Sequence, residues 1–359
     1  MFSCENWDQI QKNFKAFWKR ENERPLVNIT GIRDGYVPRA ISAPSSLAAK
    51  WENPEYVLEC TRESIRSTYW GGDSFPMFMP NLGPDIIGAI LGDDIIYGEG
   101  TSWSAHRMTE AEWGSRRFVF DENNLWWKKL AALTQTLVEG ANGEFFVGLS
   151  DFHPGCDALV SLRGPENLCF DLRDYPDEIK RANAEIFEVL KQVAERSREI
   201  LMPYQEGTAT WMSMWHPCMW YVTSCDFNGL ISPEDFETFV APDLTMQLDW
   251  LDASVYHLDG PAAIRTHLDR LLAFEKLDGV QVCYGAGAGR ATDWIDAAKK
   301  VQAAGKCLNI SASPEDLDVL LSELRPQGLY LELGKDPFHM TAEPFTQEEV
   351  DTVMKRWFS

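Results

Sequence analysis

From residue 144 onward the chain alternates two patterns. Short runs rich in β-branched and aromatic residues are followed by longer runs in which apolar side chains recur every three or four positions. The short runs predict strands at 145–149, 210–214, 223–227, 254–258, 280–284, 307–311 and 329–333. The longer ones predict helices at 177–200, 233–251, 263–274, 292–304, 314–324 and 346–357. Ser232-Pro233-Glu234-Asp235 and Ser313-Pro314-Glu315-Asp316 each put a hydroxyl cap, a proline and two acids where a helix begins. Strand–helix alternation sustained in this way predicts parallel strands. A run at 26–29 brings the count to eight, enough to close a (β/α)8 TIM barrel.

The first third is less regular. Helical periodicity covers 5–20, 46–67 and 123–139. At 5–20, Ile10, Phe14, Phe17 and Trp18 share one face while Lys12, Lys15, Lys19 and Arg20 lie elsewhere. That is the pattern of a helix docked on a core, not of an export signal. A loop-rich stretch with Gly71-Gly72-Asp73 and Asn81-Leu82-Gly83-Pro84 separates the last two helices, and loops this long tend to be functional. No linker or repeat divides the chain. We expect one domain over 1–359, with 1–70 as an N-terminal helical elaboration.

Composition narrows the partners. A net charge of −22 repels nucleic acid, and no apolar run is long enough to span a membrane. Eight cysteines lie scattered without a CxxC pair, so reduced thiols and a cytoplasmic setting are expected. Most of the 14 tryptophans are needed to fill a large core. A few beside carboxylates, Trp103 and Trp215 among the candidates, can grip a methylated ammonium by cation–π attraction or stack on a sugar ring.

A barrel carries its chemistry at the C-terminal strand ends. Polar groups recur there: Asp151 and His153, then Trp215 and His216, Asp226, His257 and Asp259, Tyr284, and Glu332. One histidine would be ordinary packing, but titratable groups at strand end after strand end are harder to explain so. His257 and Asp259 share one strand parity, which suits a metal chelate or an imidazole oriented by a carboxylate. Asp259 alone can equally cap the helix that Gly260-Pro261 opens. No nucleophile elbow and no HExxH helix occurs.

The segment Leu230-Ile231-Ser232-Pro233-Glu234-Asp235-Phe236-Glu237-Thr238-Phe239-Val240-Ala241-Pro242, following the strand-end Asp226, resembles the signature of the uroporphyrinogen decarboxylase-like superfamily. Leu162-Arg163-Gly164 leading to Asp171-Leu172, and Gln302-Ala303-Ala304-Gly305-Lys306, are similar as well. The resemblance runs from about residue 70 to the C-terminus and implies a (β/α)8 barrel. It is closer to the corrinoid-methyltransferase-like branch, with its relation to cobalamin-independent methionine synthase barrels. The decarboxylases' arginine-rich segment after the first strand is replaced here by Thr30-Gly31-Ile32-Arg33-Asp34-Gly35. The zinc methyltransferases of the superfamily use His-x-Cys plus a later Cys. The corresponding strand reads His257-Leu258-Asp259, with Asp in place of Cys.

The resemblance therefore implies a methyltransferase-like enzyme that demethylates a small methylated substrate toward a corrinoid protein. His257, Asp259, Asp226 and Glu332 would be the catalytic groups, with Asp151, His153, Trp215, His216, Tyr284 and Trp103 lining the substrate. It leaves two versions open, an oxygen-rich divalent-metal site (zinc) from His257, Asp259 and Glu332, or a site without metal. It also implies a homodimer. A lyase or carbohydrate-active enzyme using the same strand-end acids is the alternative, and a binding partner for a corrinoid subunit the third reading.

Overall fold

The runs of alternating burial become parallel strands. The computed structural model describes residues 1–338 and 342–358. β1 (Leu26–Ile32), β2 (Met77–Phe78), β3 (Phe146–Val147), β4 (Trp220–Ser224), β5 (Ala253–Asp259), β6 (Gly279–Cys283), β7 (Cys307–Ala312) and β8 (Leu329–Leu333) follow in chain order. Six of them form one continuous parallel arc in the order β1-β8-β7-β6-β5-β4. β2 and β3 pair with each other, also in parallel, as a separate two-stranded piece. Backbone hydrogen bonds link this piece to its surroundings, Asp73 N–H to Val27 O (2.7 Å) near β1 and Leu149 N–H to Ala209 O (2.8 Å), and side chains reinforce both sides: Asp73 Oδ2 accepts from Val27 N–H, and Gln205 bonds both backbone groups of Val147. No closed eight-stranded ladder forms among the described residues, so the architecture observed is a mixed α/β fold around a mostly parallel central sheet. A strand at Thr68–Gly72 adds to β1 in antiparallel fashion.

Residue parity divides the sheet into two faces. Tyr256, Leu258, Val280, Val282, Leu308, Ile310, Leu329 and Leu331 pack against the surrounding helices. The alternate residues Leu26, Trp220, Val222, Ala253, Val255, Cys307 and Tyr330 face inward with Phe75 and Phe146. These inner residues sit at the N-terminal ends of their strands. They are covered by the helix Trp7–Lys19, which buries Trp7, Ile10, Phe14, Phe17 and Trp18 on one stripe. The expected docking helix is thus the floor of the inner chamber. Arg24 and Asn13 both bind the buried Asp73 there, which gives the Gly71-Gly72-Asp73 motif a structural task.

The segment at 210–214 is a turn and not the expected strand. Ser213 has φ 53°, a left-handed conformation that a strand cannot hold, and Met212 and Met214 are buried in the inner cluster. Strand character falls instead on Thr208–Ala209, paired antiparallel with Trp215–His216. The fourth parallel strand begins at Trp220, three residues before the expected 223, because Cys225 already leads into a short 3₁₀ turn at Asp226–Leu230.

Candidate functional site

The inward parity that is apolar at the bottom of the strands turns polar at the top. Ser224, His257, Gln281 and Asn309 are register partners across β4 to β7, and Ser311, Glu332 and Asn28 continue the row across β7, β8 and β1. One step further along lie Asp259 and Cys283, again partners. His257, Asp259 and Cys283 place a ligand atom each within 4.8 Å of one another. His257 Nδ1 meets Gln281 Oε1 at 2.5 Å, and its ring stands edge-on to Trp211, with centroids 5.2 Å apart. Gln281 Nε2 donates to Glu332 Oε2 (3.0 Å), which also accepts from Ser311 Oγ (3.1 Å). Burial raises the Glu332 carboxyl above its ordinary range against the pull of these donors. Burial, with Asp259 beside it, pushes the Cys283 thiol up as well.

A second group adjoins the first. The loop after β3 carries Asp151 and His153, and the helix Gly155–Arg163 then brings Asp157. Gly155 has φ 59°, and a Cβ there would stand 2.3 Å from Asp243 Oδ2, so glycine is required. His153 Nε2 lies 3.2 Å from Asp151 Oδ1, and its Nδ1 lies 3.6 Å from Asp157 Oδ2 and 3.7 Å from Asp226 Oδ2. Burial alone would lower this imidazole, but the flanking Asp151 and Asp157 carboxylates outweigh it and hold His153 well above its usual value. Asp157 accepts the backbone N–H of Asp226 (2.9 Å) and of Phe227 (3.0 Å), which stitches the β3 loop to the turn after β4. Asp226 is raised to about 6 by burial and by Asp157, with His153, His257 and Asp259 all within electrostatic reach. Half of its side chain remains open to solvent, so it stands at the entrance with protein on its other sides.

The structure therefore brings together Asp151, His153, Asp226, His257, Asp259 and Glu332. Tyr284 follows β6 directly; its hydroxyl donates to Ser311 O and its ring contacts Phe338 and Trp294. Trp215 and His216 are not brought there. Trp215 packs edge-on to Trp7 of the floor helix and donates from Nε1 to Glu206 O, and His216 meets the Trp18 ring. Trp103 is more than half exposed on the small hairpin formed by Ile95–Tyr97 and Ser102–Ser104. Glu332 reaches His257 through Gln281, whereas Cys283 is the third group at ligand distance. Gln281, Cys283 and Trp211 were not singled out from the sequence. Gln281-x-Cys283 does repeat the two-residue spacing of His257-x-Asp259 on the neighbouring strand, and that was the available signal.

No family model matches the chain, and neither does any curated protein. Among solved structures, a methyltransferase from Methanosarcina mazei superimposes with a TM-score of 0.61 at 13% identity, over 96% of this chain and 97% of that one. The chain shares that protein's fold. A mandelate racemase/muconate lactonizing enzyme from Sulfitobacter sp. aligns at a TM-score of 0.35 and 13% identity, over 89% of this chain and 56% of that one, too low to carry an argument.

Proposed function

We propose that this chain is a methyltransferase-like enzyme that takes a small methylated substrate into the polar mouth of its inner chamber and passes the methyl group to a corrinoid protein. We read the parallel arc and the β2–β3 pair together as the eight strands of a (β/α)8 barrel, which makes the polar row its C-terminal mouth. The observation that carries the reading is this row, seated on a fold shared along nearly its whole length with a methyltransferase.

The mouth gathers five carboxyl groups, Asp151, Asp157, Asp226, Asp259 and Glu332, against two imidazoles. Nearby cations are engaged elsewhere, Arg290 by Asp316 and Lys335 by Glu349. Such a surplus favours a cationic substrate, and a methylated ammonium fits beside Trp211, whose ring meets His257. In that reaction the carbon–nitrogen bond breaks and its electron pair stays on the departing neutral amine. The reduced corrinoid of the partner supplies the pair for the new bond to carbon. An ether or thioether leaves poorly without protonation or polarisation, so those substrates require an acid at the heteroatom.

His257, Asp259 and Cys283 form a donor set of one imidazole, one carboxylate and one thiol, which suits zinc. A metal held there would polarise an oxygen or sulfur leaving atom. Because the thiol is pushed up, binding must drive its proton off, and affinity should rise with pH.

The test mixes purified protein with a cob(I)alamin-loaded corrinoid protein and a panel of methylated amines, ethers and thioethers. Loss of the cob(I)alamin absorption with at least one donor is expected. No change with any donor, together with thermal stabilisation by a sugar, would sink the proposal in favour of the carbohydrate alternative.

A further inference from the structure

We propose that Gln281 is a positioning residue that fixes the tautomer of His257, with hydrogen on Nδ1 and the lone pair on Nε2. Glu332 orients the Gln281 amide. Its Oε2 accepts from Ser311 Oγ at 3.1 Å and from Gln281 Nε2 at 3.0 Å, so the Gln281 amide spends its N–H₂ end on this carboxylate. The amide oxygen is thereby the end turned to His257 Nδ1, 2.5 Å away. An amide oxygen only accepts, so Nδ1 must carry the hydrogen. A neutral imidazole then has its lone pair on Nε2. The opposite amide orientation would set the Gln281 carbonyl against the carboxylate and is disfavoured by the network as a whole.

The surroundings hold the relay in place. Gln281 is buried, and His257 and Gln281 are register partners on adjacent strands, so no loop movement separates them. The Trp211 ring, at 87° to the imidazole, restricts the ring plane. Asn309, the register partner of Gln281 on the far side, is fully buried, and its amide adds to the donors that face Glu332. The hydrogen-bonded path from Glu332 to His257 thus runs through Gln281, which gives this carboxylate a part in the row without making it a metal ligand.

The assignment has a consequence for the metal reading above, on which its second test rests: Nε2 is the atom that His257 offers to a cation shared with Asp259 and Cys283. The first test is independent of that reading. Protein carrying ¹⁵N-labelled histidine is examined at pH 8 by two-bond proton–nitrogen correlation, and the His257 signals are assigned by their loss in His257→Asn. The wild-type pattern expected is protonated Nδ1 with unprotonated Nε2. In Gln281→Leu the pattern should move toward the Nε2–H form, while circular dichroism stays unchanged. Observing Nε2–H in the wild type would overturn the proposal whatever the variants do. The second test titrates Co²⁺ alone and reads its visible absorption. Gln281→Leu should weaken binding by about 10–100-fold, and Gln281→Glu, which keeps an acceptor at Nδ1, should recover part of it. If the wild type shows the Nδ1–H form but binds no Co²⁺, the tautomer assignment stands and the metal reading falls.

Discussion

The two ends of the inner chamber are built on the same strands and from the same parity, yet they do opposite work. At the bottom, Leu26, Trp220, Ala253, Cys307 and Tyr330 meet Phe14, Phe17 and Trp18 of the helix Trp7–Lys19 in a close-packed apolar floor. Two to four residues along the same face of the sheet, Asn28, Ser224, His257, Gln281, Asn309 and Glu332 replace them. A buried polar row costs stability unless its members satisfy one another, as Gln281, Ser311 and Glu332 do here. Apolar packing lies at the floor and the titratable groups lie at the mouth. A strand supplies both because every second residue returns to the same face.

This contrast can be broken at either end. Phe14, fully buried in the floor, should lose about 3–5 kcal/mol of stability on change to Ala, read as a lower denaturation midpoint with the mouth residues intact. The next effect lies behind the mouth. Asp243 is buried, has one oxygen without a partner, and is raised by its burial to about 7 from an unfolded value of 3.8. A raised carboxyl favours the folded state fully below about pH 4, and that contribution is lost as pH climbs toward 7. Asp243→Asn should therefore raise stability at pH 8, on the order of 2–4 kcal/mol, with little change at pH 4. Equal melting temperatures of the two proteins at pH 8 would refute this.

His257→Asn inverts the pattern seen at the floor. Methyl transfer should fall by about 100-fold or more, while unfolding free energy moves by less than about 1 kcal/mol. Smallest is a pH effect at the entrance. If the reaction needs ionised Asp226, its rate should rise with pH through about 6, and Asp226→Asn should remove that limb while leaving a flat residual rate.

The sequence was most legible where strands are buried on both faces. The runs that became β5, β6, β7 and β8 were expected within two residues of where they lie, because parallel strands read as continuous apolar segments between capped helices. β2 was hidden, since two residues between Gly- and Pro-rich turns carry no periodicity. The apolar run at 210–214 imitated a strand because Met212 and Met214 are buried like strand residues while the backbone turns at Ser213. Because the backbone turns there, Trp215 and His216 stand beside Trp7 and Trp18 of the floor helix, and not at the C-terminal strand end that a strand over 210–214 predicts for them. His257 and Asp259 were visible as titratable groups at the end of a clear strand. Gln281 was not, because a neutral amide has no spacing signature and its role depends on a contact with Glu332 across an intervening strand.

The floor helix has one more consequence. With the N-terminal strand ends covered by Trp7, Phe14, Phe17 and Trp18, the door that the described residues leave lies at the C-terminal strand ends. On the function proposed here, a small donor and a protein-sized acceptor must use that door in turn. The donor has to be seated before the acceptor docks, and the spent product can leave only after the acceptor has withdrawn. Turnover would then be governed by the order of arrivals at one threshold, and excess acceptor would inhibit by arriving first.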